Sequence, residues 1–293
     1  MTNDVSKLEL GQGQYSFLLN DRGGVIDDLI IYRTDPTSYF LVVNASKVDE
    51  DFAWLRSHAE SSGITLTNRS DDFGGLAIQG PNSVDAFLQM TDDALKESEP
   101  QLPERFCIRS FETKAGGLVM VCRTGYTGED GFELFCPIRD AETWWRRTVS
   151  SGATPCGLGA RDILRLEKCY PLNGSDLSPE LTPLQAGMSF AVDLEKGDFI
   201  GRDVLLKQKA EGLDTKLVAL KQTEKSPPPR HGYPVFAGDE QLAELTSGGV
   251  SPTLGAGISM AYVPVPFAKI GTVLDIEIRG KRFPAEVVRK PFV

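Results

Sequence analysis

Two adjacent carboxylates, Asp27 and Asp28, sit inside the apolar run Gly23-Gly-Val-Ile-Asp27-Asp28-Leu-Ile-Ile-Tyr32. Side chains on a strand alternate between faces, so the two acids cannot share an environment, and Asp28 falls on the face of Ile26, Ile30 and Tyr32. A carboxylate inside an apolar strand is costly unless paired. That makes one of them a candidate for substrate contact; the plainer alternative is that one acid is solvated and the other answers a turn N–H.

A second segment with chemical potential is Arg123-Thr-Gly-Tyr126-Thr-Gly-Glu129-Asp-Gly-Phe-Glu133. Its glycines allow backbone to approach a ligand closely, Tyr126 offers a stacking face, and Glu133 falls within the returning strand rather than in the turn. A glycine-rich hairpin with solvated acids is the bland reading. The third segment, Gly157-Leu-Gly159-Ala-Arg161-Asp162-Ile-Leu-Arg-Leu-Glu167, mimics the start of a dinucleotide fingerprint. The third glycine is absent, however, and the preceding Ser150-Ser-Gly-Ala-Thr-Pro155 is no strand, so a Rossmann reading fails. Either the segment is a helix N-terminus with an i,i+4 salt bridge on its surface, or Arg161 is held there to receive an anion. In Leu245-Thr-Ser247-Gly-Gly-Val-Ser251-Pro-Thr-Leu-Gly255 the hydroxyls read as turn formers, and no Gly-x-Ser-x-Gly nucleophile elbow occurs.

These residues need elements to hold them. The order Tyr15–Leu19, turn, Val25–Tyr32, turn, Tyr39–Val43 predicts an antiparallel meander. Ser46 and Asp49 resemble a capping box for a helix carrying Val48, Phe52, Leu55 and Ala59 on one face, packed on the meander. A strand at 76–78 leads into a short helix after Gly80-Pro-Asn82 that points Val84, Phe87 and Leu88 to the core. Strands at 117–123 and 132–136 flank the glycine-rich loop, and helices follow at 141–149, 160–168 and 199–210. From residue 214 the chain reads as all-β, with Lys281-Arg282 at the tip of a hairpin. The expected class is α+β: an antiparallel-sheet and helix region over 1–213, then a small β-barrel or sandwich over 214–293.

Composition narrows the function. The 293 residues carry 31 basic and 41 acidic side chains, a net charge of −10, which repels nucleic acid and anionic lipid at long range. Five widely spaced cysteines without a Cys-x-x-Cys pair, and only two histidines, offer no readable metal site. The cysteines read as buried, reduced thiols of a reducing compartment. The N-terminus lacks a basic segment followed by an apolar stretch, and nowhere do eighteen uncharged apolar residues run together, so a cytoplasmic protein is expected.

Taken together, the order and wording of the motifs resemble the aminomethyltransferase (T-protein) family of the glycine cleavage system, one of the tetrahydrofolate-dependent transferases. The resemblance runs from Thr2-Asn-Asp4 to Lys290-Pro-Phe292. It is carried by Leu18-Leu-Asn20 with Gly23–Tyr32, by Val42-Val-Asn44, Gln79-Gly-Pro81, Arg123–Glu133, Gly157–Glu167, Asp198-Phe-Ile-Gly-Arg202 and Thr246–Gly255.

The resemblance implies an aminomethyl donor on the lipoyl arm of H-protein and tetrahydrofolate as acceptor; the charge and the cysteine and histidine pattern leave no metal, nucleic acid or membrane partner expected. The family's essential aspartate falls on Asp28, where a carboxylate can orient the folate, manage the proton at N10 while N5 attacks, and stabilise the iminium cation formed as ammonia departs. Glu133 matches the pterin-binding glutamate, able to accept parallel hydrogen bonds from the aminopyrimidine edge. Tyr126 lines the same pocket, Arg161 matches an arginine of the substrate site, and Tyr15, Tyr32, Val42 and Asn44 match pocket-wall residues.

Family members usually begin earlier, by about seventy residues or half a typical domain, with a segment that adds a Ser-His-Met-Gly-like loop to the folate pocket. This chain is expected to be short by that segment. Two rivals stay within the same resemblance: a folate-dependent demethylase of a small sulphur or nitrogen methyl donor, and an inactive folate-binding fragment. A folate-binding assembly factor of iron–sulphur maturation would carry a Lys-Gly-Cys-Tyr-x-Gly-Gln-Glu run, of which Lys168-Cys-Tyr-Pro-Leu-Asn-Gly-Ser175 keeps only Cys-Tyr.

Overall fold

The computed structural model describes residues 1–59, 62–97 and 100–293. The chain divides into two compact units. One comprises Val5–Tyr15 and Leu29–Gly157; the other comprises Met1–Asp4, Ser16–Asp28 and Leu158–Val293.

The strands β1 (Gly13–Leu19), β2 (Val25–Asp35) and β3 (Ser38–Val42) form the expected meander, in the order β1-β2-β3. Ile30 pairs with Val42 and Tyr32 with Phe40. Helix α1 (Val48–Ala59) follows, its start held by a Lys47–Glu50 ion pair of 2.7 Å. Its stripe of Val48, Phe52 and Leu55 is only half-buried, and Asp51 is the one fully buried residue among those described in the helix.

In the first unit, β4 (Phe73–Gln79), β5 (Ile108–Glu112), β6 (Leu118–Cys122) and β7 (Gly131–Pro137) build an antiparallel sheet in the order β4-β7-β6-β5. One face meets helices α2 (Ser83–Thr91) and α3 (Ala141–Ser150) over a core of Phe87, Phe111, Val119, Val121, Phe132, Leu134 and Trp144. Burying each large side chain stabilises the fold by about 1.5–3 kcal/mol. The opposite face presents Ile108, Met120, Cys122 and Phe135 to Tyr32, Phe40 and Val42 of the meander. Phe40 and Phe135 meet edge-to-face at 5.5 Å, which locks this layer.

The second unit contains a closed antiparallel barrel. Its strands are β8 (Thr215–Gln222), β9 (Pro234–Ala237), β10 (Glu240–Ser251), β11 (Ala256–Pro264), β12 (Val273–Ile278) and β13 (Lys281–Val288), in the order β10-β11-β8-β13-β12-β9. Closure leaves no exposed edge, and Leu220, Val235, Leu245, Ala261, Ile276 and Ala285 fill the interior. Helix α4 (Leu158–Glu167) packs on β10 and β11 through Leu166, Ile258 and Met260. Helix α5 (Arg202–Glu211) buries Leu205 beside the turn at Gly23. Among the described residues no helix is long and apolar enough to cross a membrane.

The C-terminal tail is the expected barrel, but several local expectations shift. Its last hairpin turns at Arg279 and Gly280, both with positive φ, which places Lys281 and Arg282 within β13. Leu88 points outward, 41% exposed, because Met90 and Thr91 occupy the inner face of α2. Helix α5 begins at Arg202, after Gly201 turns the chain with φ +83°, so Phe199 and Ile200 precede it. Strand β5 was not anticipated. Of the five free thiols, Cys122, Cys136 and Cys169 are buried, Cys107 is half-buried and Cys156 is exposed.

Candidate active site

Glu133 lies in the middle of β7 between Phe132 and Leu134, both fully buried in the helix-covered core. Alternation therefore turns Glu133 to the opposite face, where it pairs in register with Cys122 of β6 and Ala77 of β4. Thr124, two residues beyond Cys122, donates its hydroxyl to Glu133 Oε2 at 2.5 Å. Tyr32 Oη lies 3.0 Å from the same Thr124 oxygen. Because the single threonine proton is committed to the carboxylate, the tyrosine must be the donor in that second bond.

Tyr32 is fully buried, and burial, reinforced by the neighbouring Cys122 thiol, pushes its hydroxyl far above the ordinary phenol range. It therefore stays protonated and donating. Burial likewise pushes up the Cys122 thiol, so that thiol is not a nucleophile at neutral pH.

The loop from Arg123 to Asp130 is fixed at its base. Arg123 grips Asp130 with two hydrogen bonds, Nε to Oδ1 at 3.0 Å and Nη2 to Oδ2 at 2.6 Å. That grip holds the Asp130 carboxyl below the usual carboxylate range. The Asp130 carbonyl in turn accepts the Gly80 N–H and the Ser83 hydroxyl. Gln79 fills the inside of the loop: its Nε2 donates to the Thr124 carbonyl at 3.1 Å and its Oε1 accepts the Thr127 hydroxyl at 3.2 Å. A β-carbon on residue 125 would lie 1.8 Å from Gln79 Oε1, so a larger residue there must displace the Gln79 amide. Tyr126 is half-buried near the tip of this loop.

The other singled-out residues of this unit are dispersed around the same layer. Val42 packs in the cluster of Tyr32 and Cys122. Tyr15 is half-buried on β1. Asn44 is half-buried beyond the end of β3, where its carbonyl accepts the Lys47 N–H and starts the turn into α1.

Asp28 and Arg161 belong to the second unit. The aspartates of β2 do separate as alternation requires, Asp27 fully buried and Asp28 half-buried. Asn173 Nδ2 donates to the Ile26 carbonyl, and Val25 N–H donates to the carbonyls of Ser178 and Leu181, fixing the strand at its start.

Arg161 is exposed on α4, whereas Arg165, one turn later, is the buried cation. Arg165 pairs with Asp162 and with the fully buried Asp176, each at 2.7 Å, and donates to the Ser247 hydroxyl at 2.8 Å. Glu167 is also buried and receives Ser251 and Thr253 hydroxyls. The hydroxyls of the 245–255 segment thus fasten α4 to the barrel.

Thr124 and Gln79 escaped sequence reasoning. The available signal was parity: Thr124 shares its face with Cys122 and hence with Glu133.

Residues 1–196 match the GCVT N-terminal domain, and residues 215–293 match the glycine cleavage T-protein C-terminal barrel domain. The chain belongs to the glycine cleavage T-protein family. An aminomethyltransferase from Anoxybacillus flavithermus is 42% identical over all of this chain and 80% of its own length. One from Bacillus subtilis is 41% identical over the same shares. The crystal structure of glycine cleavage system aminomethyltransferase T from Bartonella henselae superposes with a TM-score of 0.85 at 34% identity, covering 98% of this chain and 77% of that one. The protein is therefore a transferase with the two-part fold of the T-protein family. The comparisons favour aminomethyl transfer over the demethylase reading.

Proposed function

We propose that this T-protein family member transfers the methylene of an aminomethyl group, carried on the lipoyl arm of H-protein, to tetrahydrofolate. In that reaction the C–S and C–N bonds of the donor break and N5–C and N10–C bonds form. The two folate N–H protons leave with the ammonia and the dihydrolipoyl thiol. We place the reaction in the cytoplasm and draw the domain boundary near residue 213, just before β8.

The observation that carries the reading is the half-buried Glu133 carboxylate with one oxygen fixed by Thr124. An ionised carboxylate offers about four lone-pair sites, so after one hydrogen bond it retains acceptors for the two parallel N–H donors of an aminopyrimidine edge. Tyr126, on the loop that Gln79 and the Arg123–Asp130 pair fix, supplies an aromatic face to the same ring. Tyr15, Val42 and Asn44 complete the wall. Asp28 handles the proton at N10 and balances positive charge as the amine leaves. Arg161 pairs with a substrate carboxylate.

Calorimetric titration with tetrahydrofolate under reducing, oxygen-free conditions tests this, run beside Glu133→Ala. Loss of a charged hydrogen-bonding partner is expected to weaken binding by about 1.5–3 kcal/mol. Unaltered affinity moves the pterin site elsewhere. Release of ammonia from aminomethyl-loaded H-protein then tests the donor.

A further inference from the structure

We propose that Thr124, backed by Tyr32, is the positioning residue that sets the Glu133 carboxylate for pterin capture. This inference rests on the folate reading of Glu133. Three observations carry it. Thr124 Oγ1 donates to Glu133 Oε2 at 2.5 Å, and Tyr32 Oη lies 3.0 Å from Thr124 Oγ1 and donates to it, so the three groups form a one-directional chain of donors that ends on the carboxylate. Tyr32 is fully buried, so its hydroxyl acts through Thr124. The backing is also rigid: a β-carbon on residue 13 would lie 2.4 Å from the Tyr32 ring, so Gly13 leaves the space the ring fills. Phe40, paired with Tyr32 across the meander, anchors the layer against Phe135.

A glutamate on a strand has three side-chain torsions, and its terminal torsion is broad. Bidentate recognition of a planar N–H pair needs that plane defined. One strong donor on Oε2 defines it, and a second donor behind the first strengthens the bond through polarisation. Thr124 therefore pre-orients the carboxylate before the ligand arrives, so its loss is felt through Glu133 and not independently of it.

The test is a double-mutant cycle read by tetrahydrofolate titration. Thr124→Val keeps the side-chain shape and removes the hydroxyl; it is expected to weaken binding about tenfold, the effect of losing one typical hydrogen bond's worth of orientation. Thr124→Ser restores the donor and is expected to return affinity to within about twofold of wild type. Tyr32→Phe, which keeps the ring and its packing, is expected to cost about threefold and guards against a Thr124→Val chain that fails to fold. In a Glu133→Ala background both losses should vanish. Equal losses with and without Glu133, or a serine variant as weak as the valine one, would show a merely structural role and overturn the proposal. If Glu133→Ala alone leaves affinity unchanged, the folate reading itself fails; if it weakens binding while Thr124→Val and Tyr32→Phe do not, only the positioning role fails.

Discussion

Arg165 and Asp176 form an ion pair of 2.7 Å with side chains only 3% and 0% exposed. The Leu172 N–H and the Ser247 hydroxyl converge on the same Asp176 oxygen, at 2.9 and 2.7 Å. Helix α4, the segment after it and barrel strand β10 thus meet at one carboxylate. A buried pair of this kind does not itself raise stability much over an apolar replacement, yet removing one member strands the other charge. Asp176→Ala should therefore lower unfolding free energy by about 3–5 kcal/mol, measured by urea denaturation at neutral pH. A loss under about 1 kcal/mol would mean that the guanidinium is rehydrated rather than stranded.

That network also marks where sequence reasoning ends. Alternation along β2 and β7 is local, so the separation of Asp27 from Asp28 and the outward turn of Glu133 were legible from period alone. Which arginine of α4 is buried was not: Arg161 and Arg165 lie on one helical face, and only the barrel packed on the later turn distinguishes them. Thr124 was hidden for a related reason, since its bond to Glu133 depends on the register between β6 and β7. The last hairpin turns at Arg279-Gly280, whose positive φ values of 54° and 74° suit a tight two-residue turn, and not at the charged Lys281-Arg282 pair, because a charged pair at a strand start looks in sequence like a solvated turn.

The neighbouring aspartates of β2 should fail in different ways. Asp28→Ala is expected to abolish ammonia release from loaded H-protein while sparing most tetrahydrofolate affinity, because its contribution is concentrated in the transition state. Asp27 is fully buried, and Asp27→Ala should instead lower the melting temperature, with a stability loss of about 1–3 kcal/mol. Thermal melts and turnover on the two purified variants separate these outcomes, and unchanged turnover in Asp28→Ala sinks the assignment.

Gly125 and Gln79 make a reciprocal pair. With a β-carbon placed 1.8 Å from Gln79 Oε1, Gly125→Ala must push the glutamine amide out of the loop and break its bond to the Thr124 carbonyl. Overpacking of this sort costs about 1–3 kcal/mol, and folate affinity should fall with it. Adding Gln79→Ala removes the clash, so the double variant should be more stable than the sum of the single losses. Strict additivity in urea denaturation would show that the two residues do not compete for the same space.

The Arg123–Asp130 pair gives the loop a pH signature. Arg123 holds the Asp130 carboxyl below its ordinary value chiefly through their hydrogen bonds. For a carboxyl depressed in the folded state, the added stability is present above the unfolded value, about 4, and is lost as pH falls through the lower folded value. The side chains are 24% and 33% exposed, so solvent screening limits the contribution to about 0.2–1 kcal/mol. Asp130→Asn should therefore be less stable than wild type by that amount at pH 7, and the gap should narrow steadily as pH is lowered below about 4. Raised salt at pH 7 should shrink it too, since the charges are partly open to solvent. Urea midpoints for both proteins at pH 7 and in the acid range give the comparison. A gap that persists in acid would assign the grip to the geometry of the two hydrogen bonds rather than to charge.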